Sequence, residues 1–357
     1  MARREPQKPV RLLIVDDSAL MRKLLTDLLR LSPDIEVVGA ARNGSEALEL
    51  ADALAPDVVT LDIEMPGMSG LEVLPLLLKA HPIPVIMISA LTQEGAEVTL
   101  SALELGAVDF LPKPDRYQVA QLKASNDLLI SKVLSAARSR VRSATPPSPA
   151  GVAPRSREAS SPVHDVSGTR CILLGISTGG PQALGQVLPA LVPPIPPILI
   201  VQHMPANFTC VFAERLNRQC AVPVKEAEHG DVVVPNAILI APGGRHLTLS
   251  GTPLQPRVAL TDGPPVSGHK PSVDMLFLSG ARVFQSDAVA IMMTGMGRDG
   301  VEGCHKILEV GGSTFGQDEQ TSVVYGMNKA AFQEGAIQTQ FALQDLPALV
   351  RKIARGG

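Results

Sequence analysis

Tryptophan is absent from this 357-residue sequence, and the aromatic share is only 3%. A chain so poor in π-faces has little with which to stack unpaired bases. Positive charge does not make up for it. The 32 Lys and Arg stand against 35 Asp and Glu, a formal charge of -3, so no basic field recruits nucleic acid. Cysteine is scarce too: Cys171, Cys210, Cys220 and Cys304 are scattered and form no C-x-x-C pair. That reads as reduced thiols in a cytoplasmic protein and argues against a disulfide framework or zinc site. Long apolar runs are also missing; Pro or charge breaks every stretch before it could span a bilayer. The polar, basic start from Met1 to Lys8 leads into no apolar signal-peptide core. The expectation is a soluble cytoplasmic chain with no nucleic-acid partner and no direct membrane insertion.

What the sequence does have is 45% hydrophobic against 19% charged residues and a length that suits two domains. Buried β-type runs at 10–15, 35–40, 58–61, 85–89 and 107–111 alternate with helix-period stripes such as Leu20, Leu24, Leu25, Leu28 and Leu29. Alternating strands and helices imply a parallel, doubly wound α/β sheet. Pro75 interrupts the apolar segment 71–78, so it belongs either in a helix's first turn or at a kink. From about 139 to 169 the chain turns rich in Pro, Ser, Ala and Arg, too poor in apolar surface to order itself, and reads as a linker. Strand–helix alternation resumes at Arg170.

In the first part, Asp16 and Asp17 follow the first strand and Asp62 ends the third. Ligands of such sheets bind beyond the carboxyl ends of the strands. Converging carboxylates repel one another unless a cation joins them, and an all-oxygen donor set suits Mg²⁺. Lys113, after the fifth strand, offers a point charge to a phosphate, and Ser89, ending the fourth, offers a hydroxyl. Paired Asp residues are also common turn formers and N-caps. The ordered placement of all five at strand ends favours a phosphate-and-metal pocket.

These residues lie in Val15-Asp-Asp-Ser, Leu61-Asp-Ile-Glu-Met-Pro-Gly-Met-Ser-Gly, Ile88-Ser-Ala and Leu111-Pro-Lys-Pro. Over residues 9–130 the chain thereby resembles a response-regulator receiver, a flavodoxin-like five-strand parallel domain. The resemblance implies that Asp62 accepts a phosphoryl group from a histidine kinase. It also implies that Asp17, Asp62 and the Glu64 carbonyl hold Mg²⁺, with Asp16 acting through water. Ser89 and Phe110 fall at the family's two switch positions, with Lys113 beside the phosphate. Residues 131–169 are expected to be flexible linker.

The second part opens with a buried strand, 171–175, followed by Ile176-Ser-Thr-Gly-Gly-Pro and a helix from Gln182. Glycines permit a sharp turn, and Pro181 suits a first helical turn. Ser177 would therefore stand exposed on a strand-to-helix elbow, beside helix amides suited to an oxyanion. A serine nucleophile needs a base, and the base an orienting acid. Of seven histidines, His203 is the strongest candidate, directly following the buried run 198–202. Of many acids, Asp299 has the best context, in a Gly-rich loop after the strand 288–293, although it could instead cap the following helix.

A second resemblance covers 170–357. It rests on Gly175-Ile-Ser-Thr-Gly-Gly, Gln202-His-Met-Pro-Ala-Asn-Phe-Thr, Ile240-Ala-Pro-Gly, Asp262-Gly-Pro-Pro-Val, Pro271-Ser-Val-Asp, Thr294-Gly-Met-Gly-Arg-Asp-Gly and Thr321-Ser-Val-Val-Tyr-Gly-Met. Together they look like the chemotaxis methylesterase (CheB) family, a Rossmann-like doubly wound α/β hydrolase. The resemblance implies a Ser177–His203–Asp299 triad, with the Thr178 and Met296 amides as oxyanion hole. Its substrates would be glutamate γ-methyl esters on methylated chemoreceptor cytoplasmic domains and, in some members, receptor glutamines. Mg²⁺ would serve receiver phosphorylation, and the esterase step would need no cofactor. Arg298 and Asn328 depart from the family's usual Asn and Pro, and Arg298 would add positive charge beside the site.

Rival readings have less behind them. An ordinary α/β-hydrolase orders its triad Ser, Asp/Glu, His, but only His305, in a segment that reads as helix, follows Asp299. A nucleotide-binding module would want a Walker lysine or G-x-G-x-x-G spacing, and Gly175-Ile-Ser-Thr-Gly-Gly has neither. A methylesterase serving a receptor-like array outside flagellar chemotaxis stays open.

Overall fold

The structure is a computed structural model that describes residues 8–90, 92–113, 119–139 and 170–356. The chain separates into two compact units, 1–143 and 144–357. Most of the expected linker, 140–169, lies outside the described residues.

The first unit runs β1 (Val10–Val15), α1 (Ala19–Leu29), β2 (Ile35–Ala41), α2 (Gly44–Leu54), β3 (Val58–Asp62), α3 (Gly70–Ala80), β4 (Val85–Ser89), α4 (Gln93–Glu104), β5 (Asp109–Pro112) and α5 (Val119–Ala137). All five strands are parallel, in the order β2-β1-β3-β4-β5. β3 and β4 are buried along their whole length, which is why they read as unbroken apolar runs. Helix starts follow local chemistry: Ser18 caps α1, Asn43 caps α2, and Ser69 with Glu72 forms a capping box on α3. Pro75 lies inside α3, not in its first turn. It sits on the exposed face, where water can take the carbonyl its missing N–H leaves free. The expected domain edge at 130 falls within α5, which continues to Ala137 because Val133 and Ala136 are fully buried.

The second unit continues with β6 (Cys171–Ile176), α6 (Gly180–Val187), β7 (Ile198–Gln202), α7 (Ala206–Gln219), β8 (Val224–Glu226), β9 (Ile238–Ile240), β10 (His246–Thr252), β11 (Gln255–Thr261) and α8 (Val273–Phe284). It closes with β12 (Ala288–Met292), α9 (Val301–Glu309), β13 (Ser313–Gln317), α10 (Met327–Gln333), β14 (Thr339–Phe341) and α11 (Leu346–Ala354). Seven strands form one parallel sheet, β14-β13-β12-β6-β7-β9-β8, and β10 pairs antiparallel with β11. The chain builds outward from β6 first through β7 and later through β12, so the direction of winding reverses between β6 and β12. Such a switch point leaves a crevice at the carboxyl ends. The core beneath it is apolar, with Phe208 and Phe277 fully buried. Among the described residues, no helix is long and apolar enough to cross a membrane.

Candidate functional site

β12, β6 and β7 are neighbours, and their carboxyl ends carry the three residues singled out from the sequence. In register, Ile176 pairs with Gln202 and Gly175 with Met292. The residues leaving β6 and β7 are therefore level. His203 Nδ1 lies 3.2 Å from Ser177 Oγ, and its Nε2 lies 2.8 Å from Asp299 Oδ2. A carboxylate only accepts, so Nε2 carries the hydrogen and Nδ1 is left to take the serine proton. The ring of His269 stacks on that of His203, with centroids 3.7 Å apart and planes 4° from parallel.

Asp299 does not cap the helix that follows it; Gly300 holds that position on α9. It caps α8 from outside. Its Oδ2 accepts the Val273 N–H at 2.7 Å, and its Oδ1 accepts the Ser272 hydroxyl at 2.8 Å and the Asp274 N–H at 3.1 Å. Burial alone would raise this carboxyl. The His203 hydrogen bond and charge, with the two α8 amides, outweigh burial and hold it at about 2. The acid is thus a permanent anion that fixes the ring's tautomer.

The elbow at Ser177 is built by close approach. Gly179 has φ +77, and a Cβ there would meet Val323 Cβ at 2.5 Å. Ser177 N–H donates to the Thr294 carbonyl, and a Cβ on Gly295 would lie 2.7 Å from Ser177 Cβ. The segment leading to Met296 therefore runs against the serine, and Thr178 is buried on its other side. Thr294 ties the two together: its hydroxyl donates to the Thr178 carbonyl at 2.9 Å, while its N–H donates to Gln317 Oε1 at 2.9 Å. Because side chains fill the Gly-rich turn, it offers no phosphate cradle.

Several supporting residues escaped the sequence reading. Gln202 Nε2 donates to the carbonyls of both Ser177 and His203, at 3.0 and 3.3 Å. Ser272 and Asp274 stood in a recognised motif without a role. Asn328 is fully buried, and its Nδ2 donates to the Gln317 carbonyl and to Ser322 Oγ, which is what an Asn there accomplishes and a Pro could not. Arg298 is not a free positive charge beside the site. It pairs with Glu334, Nη2 to Oε2 at 2.6 Å and Nε to Oε1 at 3.3 Å.

In the first unit, carboxylate oxygens of Asp16, Asp17 and Asp62 all lie within 4.8 Å of one another. Lys113 Nζ donates to Asp62 Oδ2 at 2.8 Å. Asp16 Oδ2 is buried with no hydrogen-bond partner among the described residues, as expected of an oxygen that answers to a cation. Burial pushes the Asp62 carboxyl up to about 6, with Lys113 opposing and Asp16 adding to the rise. The donor set fits a hard divalent ion such as Mg²⁺. Asp17, Glu64, Met65 and Lys113 line a cleft of about 630 Å³ here. Glu64 N–H donates to Asp62 Oδ1 at 3.3 Å. The Ser89 hydroxyl is engaged on α4, at 3.3 Å from the Gly95 carbonyl and 2.7 Å from Thr99 Oγ1, a partner the sequence did not disclose. Phe110 is buried, with Lys132 Nζ 5.4 Å from its ring centroid.

A family model described as CheB methylesterase matches residues 172–350, and one described as response regulator receiver domain matches 12–124. A relative from Nitrosomonas europaea, named protein-glutamate methylesterase/protein-glutamine glutaminase, is 44% identical over 339 residues, 95% of each chain. One from Geobacter metallireducens with that name, numbered 1, is 45% identical over 345 residues, 95% of this chain and 94% of its own. Among solved structures, the Thermotoga maritima CheB methylesterase catalytic domain is 34% identical, with a TM-score of 0.50 over 53% of this chain and 98% of that one.

Proposed function

This chain belongs to the CheB methylesterase family, and from that premise we propose that it is a phosphorylation-activated serine esterase acting on glutamate γ-methyl esters of chemoreceptor cytoplasmic domains. The observation that carries the reading is the Ser177–His203–Asp299 chain at three adjacent strand ends, with its acid held ionised by the His203 hydrogen bond and charge and by the α8 amides. His203 Nδ1 takes the hydroxyl proton as Ser177 Oγ attacks the ester carbonyl. The Thr178 and Met296 amides receive the charge that develops on oxygen. The protonated ring then donates to the departing methoxide, which leaves as methanol. Water, deprotonated by the same nitrogen, hydrolyses the acyl-serine and returns a free glutamate. A receptor glutamine would follow the same path with ammonia as leaving group, as the relatives' names suggest.

Control is assigned to the first unit. Asp62 takes the phosphoryl group from a histidine kinase, Lys113 neutralises part of its charge, and Ser89 and Phe110 respond. Asp16, Asp17, Asp62 and the Glu64 carbonyl would hold Mg²⁺, which when bound offsets charge on the phosphoryl oxygens. The cytoplasm, where receptor signalling domains lie, is the compartment this reading requires.

A small acyl phosphate with Mg²⁺ should raise methanol release from methylated receptor by roughly tenfold. The Asp62→Asn variant should take up no acid-labile phosphate and show no response to the donor. Stimulation that survives in that variant would sink this assignment. Mg²⁺ at ten times its dissociation constant should stabilise the first unit by about 1.4 kcal/mol. Asp17→Asn should lose that shift in a thermal melt; a shift of unchanged size would place the ion elsewhere.

A further inference from the structure

Asp274 is a buried carboxyl for which the reaction above has no use. It stands in the first turn of α8, only 3% exposed. Its Oδ1 accepts the Gly303 N–H at 2.8 Å, and the Gly300 N–H also bonds to its carboxylate. Both amides belong to the start of α9. Asp299, just ahead of α9, in turn accepts the amides at the start of α8. Each helix is therefore capped by a carboxylate from the other.

A helix start leaves several N–H groups unpaired and carries the positive end of the dipole. The usual cap comes from the residue just before the helix. α9 has Gly300 there, with φ +95 and no side chain to offer. A Cβ at Gly300 would meet Met292 Cε at 2.4 Å and Val273 Cγ1 at 2.5 Å, so close packing excludes a self-supplied cap. Asp274 provides what that position lacks, and exchanging caps locks the α8 start to the 294–300 loop.

We infer that Asp274 is a positioning residue for ester hydrolysis, holding the loop that presents both the Met296 amide and the Asp299 carboxylate. The inference rests on the triad reading. Removing the clasp frees the loop without removing a reacting atom, so it should act on kcat more than on KM.

Charge adds a readout that packing alone would not move. Asp299 and Arg298 of the loop and Cys304 of α9 face Asp274 electrostatically, and His203 lies behind Asp299. Burial raises the Asp274 carboxyl to about 6, with the Gly303 and Gly300 amides opposing and the Asp299 charge adding to the rise. An asparagine keeps an oxygen for Gly303 and drops the charge.

The test uses the full chain with a small phosphodonor and a peptide bearing a glutamate γ-methyl ester. Asp274→Ala should lower kcat by roughly 10- to 100-fold with KM within about threefold of wild type. Asp274→Asn should recover kcat to within about fivefold and move the acid limb of kcat/KM, because a carboxyl held at about 6 no longer takes up a proton there. The inference is overturned by a wild-type kcat in the alanine variant, or by an asparagine variant that is slow with an unmoved limb. The asparagine variant decides alone if the alanine variant fails to fold. Ser177→Ala, run in parallel, separates the two levels. If it stays active the triad reading falls, whereas if it is dead and Asp274→Ala is fast, only the clasp falls.

Discussion

Ser177→Ala should reduce methanol release from methylated receptor by roughly 10⁴-fold or more, to the background of uncatalysed hydrolysis. Ser177 Oγ is the atom from which His203 Nδ1 can draw a proton, at 3.2 Å, and among the described residues no other hydroxyl is bonded to that nitrogen. The fold should not suffer. Ser177 is only half-buried, and its backbone bonds to Thr294 and Gly180 do not involve the hydroxyl. Uptake of phosphate at Asp62 should continue, because that pocket belongs to the other compact unit. The same serine should carry the acyl adduct when wild-type enzyme is quenched during turnover and weighed by mass spectrometry. Hydrolysis within tenfold of wild type in the alanine variant, or an adduct on another residue, would remove Ser177 from the mechanism.

Asp299→Asn should lower kcat by on the order of 10³- to 10⁴-fold with a smaller effect on KM. The carboxylate accepts four hydrogen bonds, from Ser272, Val273, Asp274 and His203. An asparagine offers one oxygen and an NH₂ group, which must face a donor whichever way the amide lies. If NH₂ faces His203, Nε2 must accept, and the ring hydrogen moves to Nδ1. It then points at Ser177, and the base is lost. If NH₂ takes the Oδ1 place instead, it meets the Asp274 N–H and the Ser272 hydroxyl, and the clasp is strained. A kcat within tenfold of wild type would mean that something other than Asp299 orients the ring.

The same substitution has a stability signature with a definite sign. The folded carboxyl is held at about 2, below the ordinary value near 3.9. Its stabilisation is therefore fully present above pH about 4 and lost as pH falls through about 2. Asp299→Asn should lower the unfolding midpoint most at neutral pH, and the difference should shrink in strong acid.

Much of this molecule was legible along the chain, for reasons that are local. β1, β4 and β7 have the bounds of their apolar runs, because strands buried on both faces need continuous β-branched and aliphatic residues. Glycines and Pro181 announced the elbow at Ser177, since few other residues permit so tight a turn. β10 and β11 were less visible. They form a half-exposed ribbon in which apolar positions alternate with polar ones, a weaker signal than a solid run. α5 carries the chain past residue 130 to Ala137 with Val133 and Ala136 fully buried, a tertiary reason with no punctuation in the sequence.

By itself, then, the sequence determined the alternating α/β architecture, the residues at each strand end, and the candidate nucleophile, base and acid. Those are properties of period and turn chemistry, which neighbours in the chain decide. Only the tertiary structure decided which histidine nitrogen faces the serine, why Asp299 is ionised and why Arg298 is neutralised by Glu334. It also decided that α8 and α9 exchange caps. Each of these depends on contacts between segments 25 or more residues apart, such as Val273 with Asp299 and Arg298 with Glu334. Strand order sets those distances. The order β12-β6-β7 comes from the winding reversal at β6, which periodicity along the chain does not encode.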